Sequence, residues 1–421
     1  MKKTGTKAIA AAAVGNALEW YDFSVYALFA MYIAPTVFAA QDRVSGTIAA
    51  FIVFGVGFIA RPVGAVVLGA YGDRAGRRAA LTASLSVMAL GTLCIAIAPP
   101  YAAIGIGAPL LILAGRILQG LSAGGEMGGA VSFLVEHAPP ARRGVYAAWL
   151  QSSMAISNIL GALVATTLSL ALTPEDLAAW GWRVPFILGL AIVPVGLWLR
   201  RGVADTPEFE QVRRAAAAGG FFQPLRQVFA RHARALVVSA GISVIWVVAV
   251  YALVIYMPTF MQRSLGFTPP QAFAAALVGN VFMAVGCLGA GWLADRFGRV
   301  RIVAVGAVAL LVTVLPVLSW VAAMRTVEAL VVAQVVFCLV VALFAGSAPA
   351  LIAELFPTDV RSTGVSLGYN FAATVFGGFA PAVLTWLTER MGTQMAPAYY
   401  VMVAAVVSLL ALAAVPHRRH A

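Results

Sequence analysis

Twelve stretches of mostly apolar sequence, each long enough to cross a lipid bilayer as a helix, follow one another through this chain of 421 residues. A spanning helix needs about 20 such residues. The stretches lie near 8–38, 46–71, 79–98, 105–134, 144–171, 183–200, 234–261, 271–294, 301–323, 328–353, 363–388 and 396–416. Only 10% of the residues are charged, less than half the share of about 25% usual in a soluble domain. Hydrocarbon tolerates no unpaired backbone group, which leaves helices or closed barrels as the spanning structures. Segments of this length predict the first: an all-α integral membrane protein with twelve transmembrane helices.

A formal net charge of +12 would suggest nucleic acid as a partner if the cations were clustered on one domain. They sit instead in alternate loops. With the N-terminus placed in the cytoplasm, 21 Lys and Arg fall in inside segments, while Arg43, Arg263, Arg325 and Arg390 fall outside and Arg183 lies at a boundary. That asymmetry predicts a multi-pass protein of the bacterial inner membrane with both termini cytoplasmic, partnered by lipid and not by nucleic acid. Lys2, Lys3 and Lys7 precede an Ala-rich stretch as in a secretory signal, but Glu19 and Asp22 interrupt it, so a first membrane helix is expected. Cys94, Cys287 and Cys338 stand alone in apolar segments, without metal or redox spacing.

An internal repeat organises the chain. GAYGDRAGRR at 69–78 returns as GWLADRFGRV at 291–300, placing Asp73 and Asp295 222 residues apart. Glu136, Pro139 and Arg143 return as Glu354, Pro357 and Arg361 at an offset of 218. Two motifs repeated in one order predict duplicated halves with a site at the midplane between them. The expected division is a six-helix half over 1–200, a cytoplasmic linker over 201–233, and a pseudo-symmetric six-helix half over 234–421.

The repeated G-x-x-x-D-R-x-G-R loops resemble the signature of the major facilitator superfamily. GNALEWYDFSVY at 15–26, RPVGAVVLGAYGDRAGRR at 61–78, GRILQGLSAGGEMGG at 115–129 and WGWRVPF at 180–186 look like its metabolite:proton symporter family over nearly the whole chain. Members of that family carry α-ketoglutarate, citrate, shikimate, dicarboxylates, or proline and betaine. The stretch 108–134 is most similar to the citrate and tricarballylate branch. The resemblance implies the major facilitator fold, alternating access, and proton-coupled uptake of a small organic acid.

Charge inside the membrane points to a site on its own account, because an unpaired charge at mid-bilayer costs at least about 2.5 kcal/mol. Glu19 and Asp22 share a face of the first helix with Asn16 and Tyr26; Arg61 precedes Pro62 on the second. Arg116, Gln119, Ala123 and Glu126 follow helical spacing on the fourth. All five charges belong to the first half, and the second offers Trp246, Tyr251, Asn280, Gln334, Tyr369 and Asn370. A guanidinium forks onto a carboxylate, so Arg116 is the expected anchor, with Gln119, Arg61, Tyr26, Asn158, Tyr369 and Asn370 as further substrate ligands. Glu19, Asp22 and Glu126 are the proton-coupling candidates. Two plainer readings stand beside these. The charges could serve only as mutual ion pairs, and Gln119 and Asn158 as hydrogen-bond glue between helices.

Asp73, Arg74, Arg77, Asp295, Arg296, Glu136, Arg143, Glu354 and Arg361 lie at helix ends, where ion pairs can hold one conformation closed; they are the expected gate. The three acids and two arginines in the membrane sum to minus one when ionised, a poor host for an anion. Unit charges about 4 Å apart interact by about 4 kcal/mol at an effective dielectric of 20, so substrate and proton each favour the other's binding. An enzyme is not expected: His137, His232, His417 and His420 all fall in cytoplasmic segments, without HExxH, CxxC, GxSxG or a phosphate loop. Protons, with no metal or cofactor, are the expected requirement, and a monomer the expected unit.

Overall fold

The computed structural model describes residues 2–39, 42–75, 77–124, 126–201 and 223–415; the side chains of Asp73, Arg74, Arg77 and Glu126, and most of the 201–233 linker, fall outside that description. Twelve rods run in chain order. They are α1 (Lys2–Val37), α2 (Arg43–Ala75), α3 (Arg77–Ala96), α4 (Gly107–Ala123 with Glu126–His137), α5 (Arg143–Ala171) and α6 (Val184–Arg201). After the linker, whose described part is a helix at Gln223–Arg231, come α7 (Ala233–Ala249, a π turn at Val250–Ile255, then Met257–Arg263), α8 (Pro269–Phe297) and α9 (Arg299–Met324). The last three are α10 (Val327–Ala345 with Ala348–Glu354), α11 (Arg361–Ala372, a π turn at Ala373–Gly377, then Ala380–Met391) and α12 (Ala396–Ala413). No strand occurs among the described residues. Most rods coincide with the predicted stretches to within a few residues, and the excess is at charged ends, which keep helical geometry in water where hydropathy no longer reports them.

Local chemistry sets several starts. Asp42 accepts from the Val44 and Ser45 N–H groups at 2.8 and 2.9 Å, capping α2. These bonds, with one from the Ser45 hydroxyl, hold its carboxyl below the usual range. Thr268 and Gln271 form a reciprocal capping box ahead of Pro269 on α8.

In the first half, α2 and α4 touch backbone to backbone. A Cβ added at Gly120 would lie 1.8 Å from the Gly57 carbonyl oxygen, and one at Gly124 would lie 1.9 Å from that of Arg61. With lipid as solvent, association gains little from the hydrophobic effect and relies on such close approach of small residues. Within the apolar Ala233–Ile255 part of α7, 89% of an 18-residue stretch is buried, so this rod stands in the middle of the bundle and lipid faces its neighbours. The two π turns fall in α7 and α11, and such turns recur where a helix must aim a side chain irregularly.

Hydrogen bonds stitch the halves along their length. Ser152 donates to the Ala284 carbonyl at 2.9 Å, Asn158 to Asn280 Oδ1 at 3.1 Å, Thr374 to the Phe58 carbonyl at 3.0 Å and Asn370 to the Gly124 carbonyl at 3.3 Å. At the end bearing the Asp-Arg loops, hereafter the motif end, Arg361 pairs with Glu136 at 2.8 Å. At the opposite end Tyr32 donates to Gln262 at 3.0 Å, and Phe51 meets Tyr256 at 5.8 Å between centroids. Contacts joining the halves at both ends describe an occluded conformation.

Candidate functional site

Arg116 and Arg61 occupy an aromatic chamber where α1, α2, α4 and α7 meet. The Arg116 guanidinium lies 4.5, 4.7 and 4.8 Å from the Phe23, Phe54 and Tyr26 ring centroids. That of Arg61 lies 4.2, 4.7 and 5.8 Å from Phe58, Phe23 and Trp20, so the Phe23 ring serves both cations. Such contacts are worth about 2 kcal/mol or more when desolvated, enough to hold a buried guanidinium against part of its desolvation cost but not to neutralise it.

The acceptors offered to Arg116 are neutral. It is fully buried, donates to Gln119 Oε1 at 2.6 Å and to the Phe54 carbonyl at 3.5 Å, and its Nε has no acceptor. On the far side of Gln119 stands Asp22, which also takes the Thr92 hydroxyl and lies 3.4 Å from Gln119 Nε2. Toward the motif end a small polar cavity is lined by Asn16, Glu19, Trp20, Phe23, Arg61, Ala123 and Met127. The second half contributes Tyr251 from its π turn, packed 5.3 Å from Phe58 and 6.1 Å from Phe54. The Tyr251 hydroxyl is buried without a partner, an uncompensated polar group of the kind that is costly unless a ligand meets it.

The expected ligands divide accordingly. Arg116, Gln119, Arg61 and Tyr26 converge on the chamber; the Tyr26 hydroxyl donates to the Ala50 carbonyl at 3.1 Å, so its ring is what faces Arg116. Tyr369 is buried at the chamber's edge, with a ring contact to Trp246 at 4.8 Å. Asn370 spans the seam to α4, with its Oδ1 unpartnered. Asn158 lies in a separate polar cluster with Ser24 and Asn280, beside its own small cavity. Glu19 and Asp22 are both buried.

At the motif end, Asp295 accepts from the Gly144 and Val145 N–H groups of α5 at 2.7 and 3.0 Å. Arg299 bridges Asp295, at 3.0 Å, and Glu354. Arg296 instead lies over Trp292 and Phe297 of its own helix, at 5.5 and 5.4 Å, and the Arg143 Nε has no partner. Arg299 is the residue missed, although a signal was present: the 222-residue offset that pairs Asp73 with Asp295 also pairs Arg77 with Arg299. Thr92 left no signal, being one of four hydroxyl side chains on α3 with nothing in the order to single it out.

Residues 13–327 match the Major Facilitator Superfamily. The chain belongs to that family. This facilitator is 38% identical over 404 residues to the citrate-proton symporter of Klebsiella pneumoniae, covering 94% of this chain and 88% of that one. It is 34% identical over 415 residues to the glycine betaine/proline/ectoine/pipecolic acid transporter OusA of Dickeya dadantii, with 96% and 82% covered. Among solved structures, the fold matches the proton:xylose symporter XylE with a TM-score of 0.77 at 15% identity, over 98% of this chain and 95% of that one. It is a facilitator-type transporter and not an enzyme, with twelve helices in two six-helix halves.

Proposed function

We propose that this facilitator is a proton-coupled symporter that brings a small di- or tricarboxylate of the citrate type into the cell, with the basic motif end in the cytoplasm. The observation that carries the reading is the Arg116 guanidinium, fully buried beside the partner half with only neutral acceptors. A substrate carboxylate supplies the charge-assisted pair that this group lacks. The second guanidinium, on Arg61, favours a substrate with more than one carboxylate over a zwitterion such as betaine, which brings one carboxylate and a cation of its own. Similarity to the citrate-proton symporter of Klebsiella pneumoniae supports the same choice.

In this mechanism Arg116 and Arg61 hold the anion, Tyr251 donates from the opposite half, and Asp22, with Glu19 near the cavity, takes the proton. Rocking of the halves then breaks one end's contacts while keeping the other's. Uptake of labelled citrate into proteoliposomes is expected to rise with an inward proton gradient and to fall to the passive level when an ionophore collapses it. Sodium-dependent uptake indifferent to the ionophore would refute proton coupling; preference for glycine betaine over citrate in competition would refute the substrate class.

The Asp295 clamp is the gate of this scheme. Each hydrogen bond to its carboxylate is worth about 1.5–3 kcal/mol, and about 1.4 kcal/mol is tenfold in an equilibrium. Asp295→Ala is therefore expected to slow citrate turnover about tenfold or more while citrate affinity stays within about threefold. Affinity lost in step with turnover, in folded protein, would place Asp295 outside the gate.

A further inference from the structure

We propose that the Gln119 carboxamide is the element that couples substrate to proton, turning between Arg116 and Asp22: its oxygen accepts from the guanidinium in the empty site, and from a protonated Asp22 once a substrate carboxylate holds the guanidinium. This rests on the reading of Arg116 as anchor and Asp22 as proton site.

The donors dictate how the amide lies in the structure. A guanidinium only donates, so the atom 2.6 Å from Arg116 must be the oxygen of Gln119. Its nitrogen is thereby turned to Thr92 Oγ1 at 3.0 Å and toward Asp22 Oδ2 at 3.4 Å. Thr92 has one hydrogen, within reach of Asp22 and of the Met88 carbonyl at 3.1 Å. As placed, both groups donate to Asp22 Oδ2, which suits a carboxylate; a protonated Asp22 is met only by a reversal, of the Thr92 hydroxyl by giving its hydrogen to Met88, or of the Gln119 amide by turning its oxygen.

The other groups around Asp22 do not fill that role. Tyr21, beside it on α1, donates to the Pro185 carbonyl at 3.0 Å. The backbone of α6 backs the other oxygen, so that a Cβ at Gly189 would lie 2.8 Å from Asp22 Oδ1. The charged and titratable groups of the adjoining chamber include Arg116 on α4, Arg61 on α2, Tyr251 on α7 and, on α1 itself, Glu19 and Tyr26. Thr92 touches Asp22 but not Arg116, whereas Gln119 touches both, so the Gln119 oxygen is the acceptor whose release depends on what Arg116 holds.

A substrate carboxylate releases that oxygen by replacing it on Arg116. The amide then turns about its last torsion, which is broad and roughly two-fold, and presents oxygen to Asp22 and nitrogen to the substrate. One O–H bond forms on Asp22 with a proton from solvent, and no other bond changes. The stem of Gln119 has no freedom to follow, because α3 presses on it closely enough that a Cβ at Gly91 would lie 2.9 Å from Gln119 Cγ. Only the end of the side chain moves.

The test is calorimetric titration of citrate into the purified full-length protein across a pH range in which citrate itself is fully ionised. In the unaltered protein, affinity is expected to weaken toward alkaline pH by up to about tenfold per pH unit, the slope that one coupled proton imposes. Gln119→Leu is expected to flatten the slope to under about twofold per unit and, with the competitor for Arg116 removed, to bind at the alkaline end at least as tightly as the unaltered protein. Gln119→Met keeps the unbranched length and serves if Leu does not fold. A slope retained in these variants overturns the proposal. So does affinity lost about tenfold at every pH, which would make Gln119 chiefly a substrate ligand and not the coupling element. The Asp22→Asn variant separates the levels: a slope lost there but kept in Gln119→Leu overturns this inference alone, and a slope surviving in Asp22→Asn overturns the parent reading with it.

Discussion

Arg116→Ala is expected to abolish measurable citrate binding to the purified protein, and Arg116→Lys to weaken it severely. Removing one partner of a desolvated charge pair costs about 2–5 kcal/mol, roughly thirtyfold to several-thousandfold in affinity. Lysine keeps the charge but not the planar fork, so a two-point contact with a carboxylate becomes a one-point contact. It also surrenders the guanidinium's fit among Phe23, Tyr26 and Phe54, all within 4.8 Å of it. The competing account makes Arg116 a neutraliser of Asp22, acting through Gln119. On that account Arg116→Ala combined with Asp22→Asn regains binding, because both charges have gone together. Calorimetric titration of the single and double variants with citrate decides between them, and full recovery in the double variant would falsify the anchor role.

Much of this site could be read in the amino-acid order because lipid penalises what it does not need. A charge placed in an apolar helix stands out against its surroundings, which is how Glu19, Asp22, Arg61 and Arg116 were found and why all four prove to be buried. The repeat was legible for a related reason, since loops at helix ends carry motifs that slide little within the fold. Phenylalanines gave no such signal. Phe23, Phe54 and Phe58 are as much at home facing lipid as facing a guanidinium, and only the packing of α1 on α2 shows that they enclose both arginines. Thr92 and the direction of the Gln119 amide were beyond reach because they depend on three helices meeting at one depth. Helical spacing put Arg116 and Gln119 on one stripe, but it could not show that Gln119 stands between Arg116 and Asp22. Asn158 was indistinguishable from a ligand by composition, and its pairing with Asn280 across the halves is a long-range fact.

A single added methyl group is expected to do as much damage as loss of the anchor if it is placed at Gly120 or Gly124. At Gly120 the new Cβ would sit 1.8 Å from the Gly57 carbonyl oxygen, and at Gly124 it would sit 1.9 Å from that of Arg61. A carbon normally approaches a carbonyl oxygen to about 3.3–3.6 Å, so α2 and α4 would have to part by more than an ångström. Both partners at the clash are backbone, and neither has a rotamer that relieves it. Overpacking of this kind costs about 1–3 kcal/mol in a forgiving core and more where nothing yields. Parting also moves the site, because α2 carries Arg61 and α4 carries Arg116, and a two-point grip on one substrate depends on their separation. Gly120→Ala and Gly124→Ala are therefore expected to lower the midpoint of thermal unfolding in detergent, and the fraction that remains folded to bind citrate at least about tenfold more weakly. Gly129→Ala is the control, since a Cβ there meets nothing within 4 Å, and it should match the unaltered protein in both measurements. Equal behaviour of all three variants would mean that α2 and α4 are not held at this distance in the membrane, and the paired arginines would lose their geometric basis.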